Sequence, residues 1–301
     1  MTNANNIALR QNEPEFLELQ AAKNWLYDQA RSAARTQVWT AVVAPLALAG
    51  MKAIDPELSS WAAVYAVIAL GLEPELDAWQ ERLRGHAALV QELFDRKLFQ
   101  LPWPKGAIGT EPSIEELKRW SRHYRSRAAD WKDWYPPDVA TLPLSVARVA
   151  CQRTNGWWDS VLREHYATGL SWVGFGVVAV VFVVGAVRQQ TVLEMATLAT
   201  ILAPVLRWLL RTTRRQRSSA SVRRRLFEWA ERLCREWQAV EISEQALAAQ
   251  SAEIQRETYE QRRTGPLVPS WLYFQSRVEN EESVRAATAD LCSEGQPRSR
   301  A

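Results

Sequence analysis

A stretch of nineteen residues without a charged side chain, Gly169–Val187, constrains the fold more than any other part of the sequence. As an α-helix it is roughly 29 Å long, about the thickness of the hydrocarbon core of a bilayer. The alternative is a buried helix of a large soluble domain, but such helices are usually shorter and keep a polar stripe, which this stretch lacks. We therefore predict a membrane-spanning helix, with Gly174, Gly176 and Val180 as candidate residues of the span or of a pore.

Further apolar runs predict that the chain crosses the membrane four times, in two helical hairpins. Thr36–Met51 and Leu58–Leu72 are uncharged and separated by a short polar link, which favours a first hairpin. Each run is short for a span, so a pair of buried or interfacial helices is the alternative. Val192–Leu210 completes the second hairpin, with Glu194 and Pro204 as candidate pore or span residues. Glu194 either lines a pore or is an exposed carboxylate near a helix end.

The basic residues predict how these hairpins are oriented in the membrane. Eight arginines lie between Arg207 and Arg225, and Arg31 and Arg35 precede the first apolar run. By the positive-inside rule, both chain termini and the region between the hairpins are cytoplasmic. We therefore predict an all-α membrane protein whose helical cytosolic region is built from separated segments. The predicted segments are an N-terminal cytosolic helix (1–35), a first transmembrane hairpin (36–72), a cytosolic helical region (73–168), a second transmembrane hairpin (169–210), C-terminal cytosolic helices (211–281) and a flexible tail (282–301).

The sequence contains no pattern typical of an enzyme. HExxH, a phosphate loop of the GxxxxGK type and a Gly-x-Ser-x-Gly elbow are all absent from it. Its three cysteines have no short spacing, which indicates neither a disulfide framework nor a zinc site. We therefore expect a protein without catalytic activity, without a metal and without a cofactor.

Three stretches combine aromatic rings, arginines and amides more densely than packing requires: Leu101–Pro104, Asp130–Pro136 and Arg148–Asp159. Rings and guanidinium planes stack on bases, and arginine forks bind phosphate, so this chemistry is typical of nucleotide recognition. The alternative is that the aromatic turns fix the entry of a helix and that the tryptophans anchor it at a membrane surface. The candidate ligand residues are Trp103, Trp131, Trp134, Tyr135, Arg148, Gln152, Arg153, Asn155 and Trp158.

The helix predicted over Leu144–Thr168 carries several of these candidates and leads directly into the uncharged stretch. Arg148, Gln152, Asn155 and Asp159 fall at i, i+4, i+7 and i+11, which places them in one stripe on the helix. If the helix continues into the span, it connects a cytosolic binding surface to the membrane. We call this helix the lever, because we predict that it transmits ligand binding at the cytosolic surface to the span.

Four motifs, in this order, resemble the SMODS-associated four-transmembrane effector family. They are LPW from Leu101, DWYPP from Asp133, LPLSVARVACQRTNGWWD over Leu142–Asp159, and RRTGPLVPSWLY from Arg262. The resemblance covers nearly the whole chain, and the third motif is its most specific part. The sequence departs from the family pattern at Gly156 and in a short, alanine-rich first hairpin.

The resemblance implies a role in bacterial antiphage defence. Such effectors are encoded in CBASS operons beside a cGAS-like nucleotidyltransferase, which makes a cyclic oligonucleotide on infection. The effector then perturbs the inner membrane, which causes abortive infection. We therefore expect a cyclic oligonucleotide as activating ligand, the lipid bilayer as partner, no nucleic-acid polymer as partner, and a homo-oligomer of cyclic symmetry. The competing hypothesis is a membrane receptor or scaffold that forms no pore and recruits a partner.

Overall fold

The computed structural model describes residues 5–43, 59–124, 126–127, 131–189 and 191–294, and every regular element within them is helical. This confirms the predicted all-α class for the described residues. A short π-helix, Trp39–Val43, extends the second helix, and a 3₁₀ turn, Pro137–Thr141, precedes the sixth. The helices are α1 (Ile7–Arg10), α2 (Pro14–Val38), α3 (Ser59–Leu98), α4 (Lys105–Ile108), α5 (Ile114–Ser121), α6 (Leu144–Val187), α7 (Val192–Gln238), α8 (Glu244–Thr264) and α9 (Ser270–Glu294).

Several helix ends follow from local sequence signals. α5 begins with the expected capping box: the Ser113 hydroxyl accepts from the Glu116 amide at 3.2 Å, and the Glu116 carboxylate accepts from the Ser113 amide at 3.0 Å. The Ser243 side chain caps α8 by accepting from the amide of Ala246. These bonds satisfy amide groups that have no partner inside the helix.

The predicted lever helix and the uncharged stretch form one continuous helix, α6. At 1.5 Å per residue its 44 residues extend about 66 Å. Its first half is buried in the helical bundle, whereas its second half exposes large apolar side chains: Phe175 is 67% and Val180 61% exposed. In the most apolar 18-residue stretch of α6, only 6% is buried inside the structure. A surface this apolar fits a lipid environment much better than water.

α6 is, by length and composition, a candidate membrane span, and no other helix in the described residues qualifies. The model therefore supports one of the four predicted crossings. The second half of the predicted run Thr36–Met51, residues 44–51, lies outside the described residues. The side chains of Glu194 and Pro204, on α7, also lie outside the described part, so these two candidates stay predictions.

α6 and α7 form a long antiparallel hairpin around the turn that follows Val187. About 20 Å along α6 from the turn, Gly174 lies against Leu209, whose Cδ1 is 3.8 Å from the place that a Cβ of Gly174 would take. Further from the turn the two backbones approach closely at Gly156, where an added Cβ would lie 3.1 Å from the amide nitrogen of Phe227. This close approach explains the glycine at the position where the sequence departs from the family pattern. Gly176, by contrast, has open space beside it.

The other helices pack around the first half of this hairpin. α2 packs on α3 and α5, α8 contacts α3, α6 and α7, and α9 contacts α6. The resulting core joins segments that are far apart in the sequence. Its fully buried side chains include Phe16, Leu26, Val90, Phe99, Val146, Ala230, Leu247 and Ile254.

One sequence prediction about the C-terminus is wrong. The flexible tail was expected to begin at residue 282, but α9 continues to Glu294. The physical reason is that two of its side chains are buried, since Val284 is 8% and Thr288 4% exposed. Leu291 also packs against the core.

Candidate functional site

A cavity of about 760 Å³ lies where α2, α6, α7, α8 and the start of α9 meet. Three of the four family-like motifs line it: the tryptophan turn before the 3₁₀ helix, the NGWWD end of the third motif and the loop between α8 and α9. Its volume falls within the roughly 300–1,000 Å³ typical of small-molecule sites. The lining residues from the tryptophan turn are Trp131, Lys132, Asp133 and Trp134, and those from the end of the third motif are Asn155, Gly156, Trp158 and Asp159.

One wall of the cavity is a cluster of three aromatic rings. Trp134 and Tyr273 stack with ring centres 6.2 Å apart and planes inclined by 18°. Trp158 lies 5.8 Å from Trp134 and 5.7 Å from Tyr273. The indole nitrogen of Trp134 donates to the Asn155 side chain at 3.5 Å, which helps to orient the ring. We call Trp134, Trp158 and Tyr273 the aromatic wall; such a surface stacks well on a planar base.

A second aromatic pair lies on the α2 side of the cavity. Tyr124 and Trp131 have ring centres 6.3 Å apart, and the guanidinium of Arg127 lies 5.2 Å from the Tyr124 ring and 6.0 Å from the Trp131 ring. The Tyr124 hydroxyl donates to Asp28 at 2.6 Å, and Arg31 pairs with the same carboxylate. Cations over aromatic faces extend the flat, positively charged surface.

The cavity carries an excess of positive charge. Among the described lining residues, seven are cationic and three are acidic. An excess of this kind in a partly enclosed space attracts anions. The cations are Lys23, Arg31, Arg127, Lys132, Arg163, Arg223 and Arg262, and the acids are Asp28, Asp133 and Asp159.

Asp159 is the anion at the centre of this charge cluster. Its carboxylate pairs with Arg163 at 3.0 Å and with Arg223. Burial raises the pKa of Asp159, but the guanidinium groups of Arg163, Arg223 and Arg262 outweigh that effect and hold the pKa below its ordinary value. Burial also lowers the pKa of Arg223 to about 10, against the opposing effect of Asp159. Both groups are therefore charged at neutral pH.

Two buried donors facing this region have no acceptor among the described residues: the indole nitrogen of Trp158 and Nε of Arg223. Trp158 is 7% and Arg223 4% exposed, so solvent satisfies neither donor well. A buried donor without an acceptor costs roughly 1–3 kcal/mol. Both residues line the cavity, but the two donor atoms are covered, so a ligand with acceptor oxygens would reach them only after a neighbouring side chain moves.

Side chains from three helices hold the loop between α8 and α9, and that loop forms the last wall of the cavity. Arg163 donates to the Pro266 carbonyl at 2.6 Å, Gln216 to Leu267 at 2.8 Å and Arg31 to Val268 at 3.0 Å. Gly265 is required here, because a Cβ would lie 2.5 Å from the carbonyl oxygen of Gln261. The loop is therefore fixed by the same arginines that face the cavity.

The sequence-predicted ligand residues divide into two groups. Trp131, Trp134, Asn155 and Trp158 line the cavity, and Tyr135 lies directly behind it, 1% exposed, with its hydroxyl accepting from Asn155 at 2.8 Å. This group was predicted from chemistry alone, and the fold brings it together.

The other four candidates have protein partners away from the cavity. Arg148 donates to the carbonyls of Phe99 and Gln100, so it fixes the end of α3. Gln152 is buried and donates to the Ser251 carbonyl at 2.9 Å. Arg153 pairs with Glu231 on α7, and the Trp103 indole donates to the Gly109 carbonyl at 2.7 Å. We therefore leave these four out of the proposed ligand site.

The comparison with protein families decides the identity of this architecture. Residues 5–291 match the model of the SMODS-associating 4TM effector domain. The chain belongs to this family. The resemblance predicted from the four motifs is thereby confirmed, and the cavity is a feature of a SMODS-associating 4TM effector.

One relative of this effector is a protein of Bacillus cereus strain VD146, described as a probable CBASS effector molecule. It is 20% identical over 164 residues, which make up 52% of this chain and 55% of that protein. The chain thus spans about half the length of that curated relative. No solved structure matches the chain.

Several cavity residues of this effector escaped prediction from sequence. Lys23, Arg163, Arg223, Arg262 and Tyr273 come from five different helices. A signal existed for two of them, since Arg262 and Tyr273 lie in the RRTGPLVPSWLY motif. Arg223 lies in the basic run from which the membrane orientation is predicted, so its sequence context gives no sign of a position in the cavity.

Proposed function

We propose that this protein is a membrane effector of CBASS antiphage defence and that its cavity binds the activating cyclic oligonucleotide. The observation that carries the proposal is the composition of the cavity, where an aromatic wall and an excess of cations meet at the base of the apolar half of α6. Bases stack on aromatic rings, and phosphodiesters pair with arginines. The membership of a CBASS-associated family supplies the class of signal, a cyclic nucleotide made by a cGAS-like enzyme.

The membrane part of the proposal is a pore or a disruption of the bilayer. In the proposed topology, the chain crosses the bacterial inner membrane four times in two hairpins, with both termini in the cytoplasm. Four helices in one chain enclose little space, so the active form is a homo-oligomer of cyclic symmetry. α6 is the lever: residues Asn155 to Arg163 lie at the cavity, and the same helix continues into the apolar half. The ligand acts by its differential affinity for the closed and open states.

A second candidate function is a membrane receptor that recruits a partner without forming a pore. The observation in its favour is the second half of α6, whose exposed side chains from Trp172 to Val187 are uniformly apolar. A helix lining a water-filled pore generally carries some polar side chains. A lipid-facing or partner-facing helix does not need them.

The experiment that separates these functions is dye release from liposomes containing the purified full-length chain. We expect release only when a cyclic di- or trinucleotide is added, and depolarisation of cells only when the partner nucleotidyltransferase is expressed. Growth arrest without release or depolarisation would favour the receptor. Consumption of the added nucleotide, followed by chromatography, would instead indicate an enzyme.

The aromatic wall gives a direct test of where the ligand binds. Replacing Tyr273 with alanine is expected to weaken cyclic-nucleotide binding by about 5- to 150-fold, because stacking of one base on an aromatic ring contributes roughly 1–3 kcal/mol. Trp271→Ala is the matched control, since Trp271 lies two residues away on α9 and is 60% exposed. Equal affinities of the two variants, measured by calorimetry, would place the ligand elsewhere.

Lys23 makes the proposed binding dependent on pH. Burial lowers the pKa of Lys23 from its usual 10.5 to about 7, with Arg262 and Arg31 adding to this effect and Asp95 opposing it. Between these two values the unfolded chain binds a proton that the folded chain does not, so the contribution of Lys23 to stability rises with pH over that interval. An anionic ligand raises the pKa of Lys23, so binding takes up a proton.

We therefore expect ligand affinity to fall, by up to about tenfold per pH unit, as the pH rises above 7. Calorimetry in two buffers of different ionisation enthalpy measures the proton uptake directly. Lys23→Arg should remove this proton uptake, because arginine stays charged throughout that range. The same proton uptake in the arginine variant would contradict the assignment to Lys23.

A further inference from the structure

The charge cluster at Asp159 resembles a phosphate-binding site in which the Asp159 carboxylate occupies the place of the phosphate. The Asp159 carboxylate bridges Arg163 and Arg223, whose side chains are only 8% and 5% exposed. Two guanidinium groups that bind the oxygens of one carboxylate can bind the oxygens of a phosphodiester in the same way. All three residues line the cavity.

We propose that a phosphodiester group of the ligand binds to Arg163 and Arg223 by taking the place of the Asp159 carboxylate, and that this exchange loosens the contact between α6 and α7. The inference rests on the proposed function, because it assumes a ligand that carries phosphodiesters. A phosphodiester matches this subsite because, like the carboxylate, it has one negative charge and two free oxygens. We expect Lys23, which lines the same cavity, to pair with another of its phosphates.

Charge balance favours such an exchange. Binding a phosphate between two buried cations leaves their charge compensated, as the carboxylate did, so no unpaired charge is created in the site. The phosphate also gains a donor that the carboxylate does not use, since Nε of Arg223 has no acceptor in the described structure. The displaced Asp159 side chain is 26% exposed and therefore has access to water after it leaves.

The exchange acts on the membrane hairpin because the ion pair joins its two helices. Asp159 is on α6 and Arg223 is on α7, so the bridge ties them together where the cavity opens. Arg153 and Glu231 form another ion pair between the same helices, but neither residue lines the cavity. A ligand that displaces Asp159 therefore breaks one ion pair between α6 and α7 and leaves those of Arg153 with Glu231 and of Arg217 with Glu164 in place.

The test uses the full-length chain in liposomes, with cyclic di-AMP, cyclic di-GMP and cyclic tri-AMP as probes. Asp159→Asn removes the internal anion and leaves the side-chain shape, so we expect the best probe to bind about tenfold more tightly and dye to leak without any probe. Glu231→Gln is the matched control, because it breaks the ion pair that lies outside the cavity. That control should keep wild-type affinity and a tight membrane in the absence of probe.

A second variant keeps the test decisive if Asp159→Asn fails to fold. Arg223→Lys still pairs with Asp159 but lacks the fork and the Nε donor, so we expect about a tenfold loss of probe affinity. Unchanged or weaker binding by a folded Asp159→Asn protein would overturn the exchange, as would wild-type affinity of Arg223→Lys. If no probe binds even to the wild-type chain, the proposed function fails and this inference fails with it.

Discussion

Replacing Arg262 with methionine is expected to lower the free energy of unfolding by about 3–5 kcal/mol, because it leaves a buried carboxylate without its cation. Arg262 pairs with Asp95, and the two side chains are 8% and 2% exposed. Among the described residues, the remaining donor to the Asp95 carboxylate would be Gln255, which donates to it at 3.1 Å and to Glu92 at 2.7 Å. An amide contact of this kind does not compensate a buried charge.

Thermal unfolding of the ligand-free protein in detergent measures this effect, and we expect Tm to fall by about 10 °C. Arg263→Met is the matched control: Arg263 is the next residue, but its side chain is 51% exposed and pairs with Glu260 at the surface. The double variant Asp95→Asn with Arg262→Met removes both charges and should recover much of the loss. Equal Tm values for the two single variants would show that the buried pair is not a stabilising element.

Replacing Val180 with arginine is expected to abolish membrane permeabilisation. Val180 lies near the middle of the uncharged stretch and is 61% exposed. An arginine at the centre of a spanning helix costs roughly 2.5–3.5 kcal/mol, whereas valine is slightly favourable, so insertion becomes about 100- to 1,000-fold less favourable. Leucine at the same position keeps the apolar character and should insert like the wild type.

Alkaline extraction of membranes reports the insertion of this variant, and dye release from liposomes reports its activity. Val180 lies about 25 Å along α6 from Arg163, so the cavity should keep its affinity for cyclic nucleotides. A fully inserted and fully active Val180→Arg protein would remove this helix from the mechanism. Loss of ligand binding in the variant would show that the cavity and the span do not fold independently.

The sequence predicted α6 and its surroundings well because the signals there are local. The uncharged stretch, the capping box at Ser113 and the order of the four motifs each depend on residues close together in the chain. They led to an all-helical class and to the correct family. They also indicated the tryptophans of the cavity, since Trp131, Trp134 and Trp158 lie in motifs dense in aromatic rings.

The polar stripe on α6 shows that helical periodicity does not predict which neighbours a side chain contacts. Arg148, Gln152, Asn155 and Asp159 share one face of the helix, and the sequence grouped most of them as ligand residues. In the structure, Arg148 meets the end of α3 and Gln152 meets α8, while Asn155 and Asp159 reach the cavity. One helical face runs past several different neighbours, and the periodicity of the sequence contains no information about them.

By itself, the sequence determined the helical class, the apolar half of α6 and the motifs that carry the family. Only the tertiary structure decided that Lys23, Arg163, Arg223, Arg262 and Tyr273 meet in one cavity with the tryptophans, and that α9 continues past the expected start of the tail. The physical reason is that helix formation and membrane insertion depend on the composition of short segments. A binding cavity depends instead on the packing of helices that are far apart in the chain.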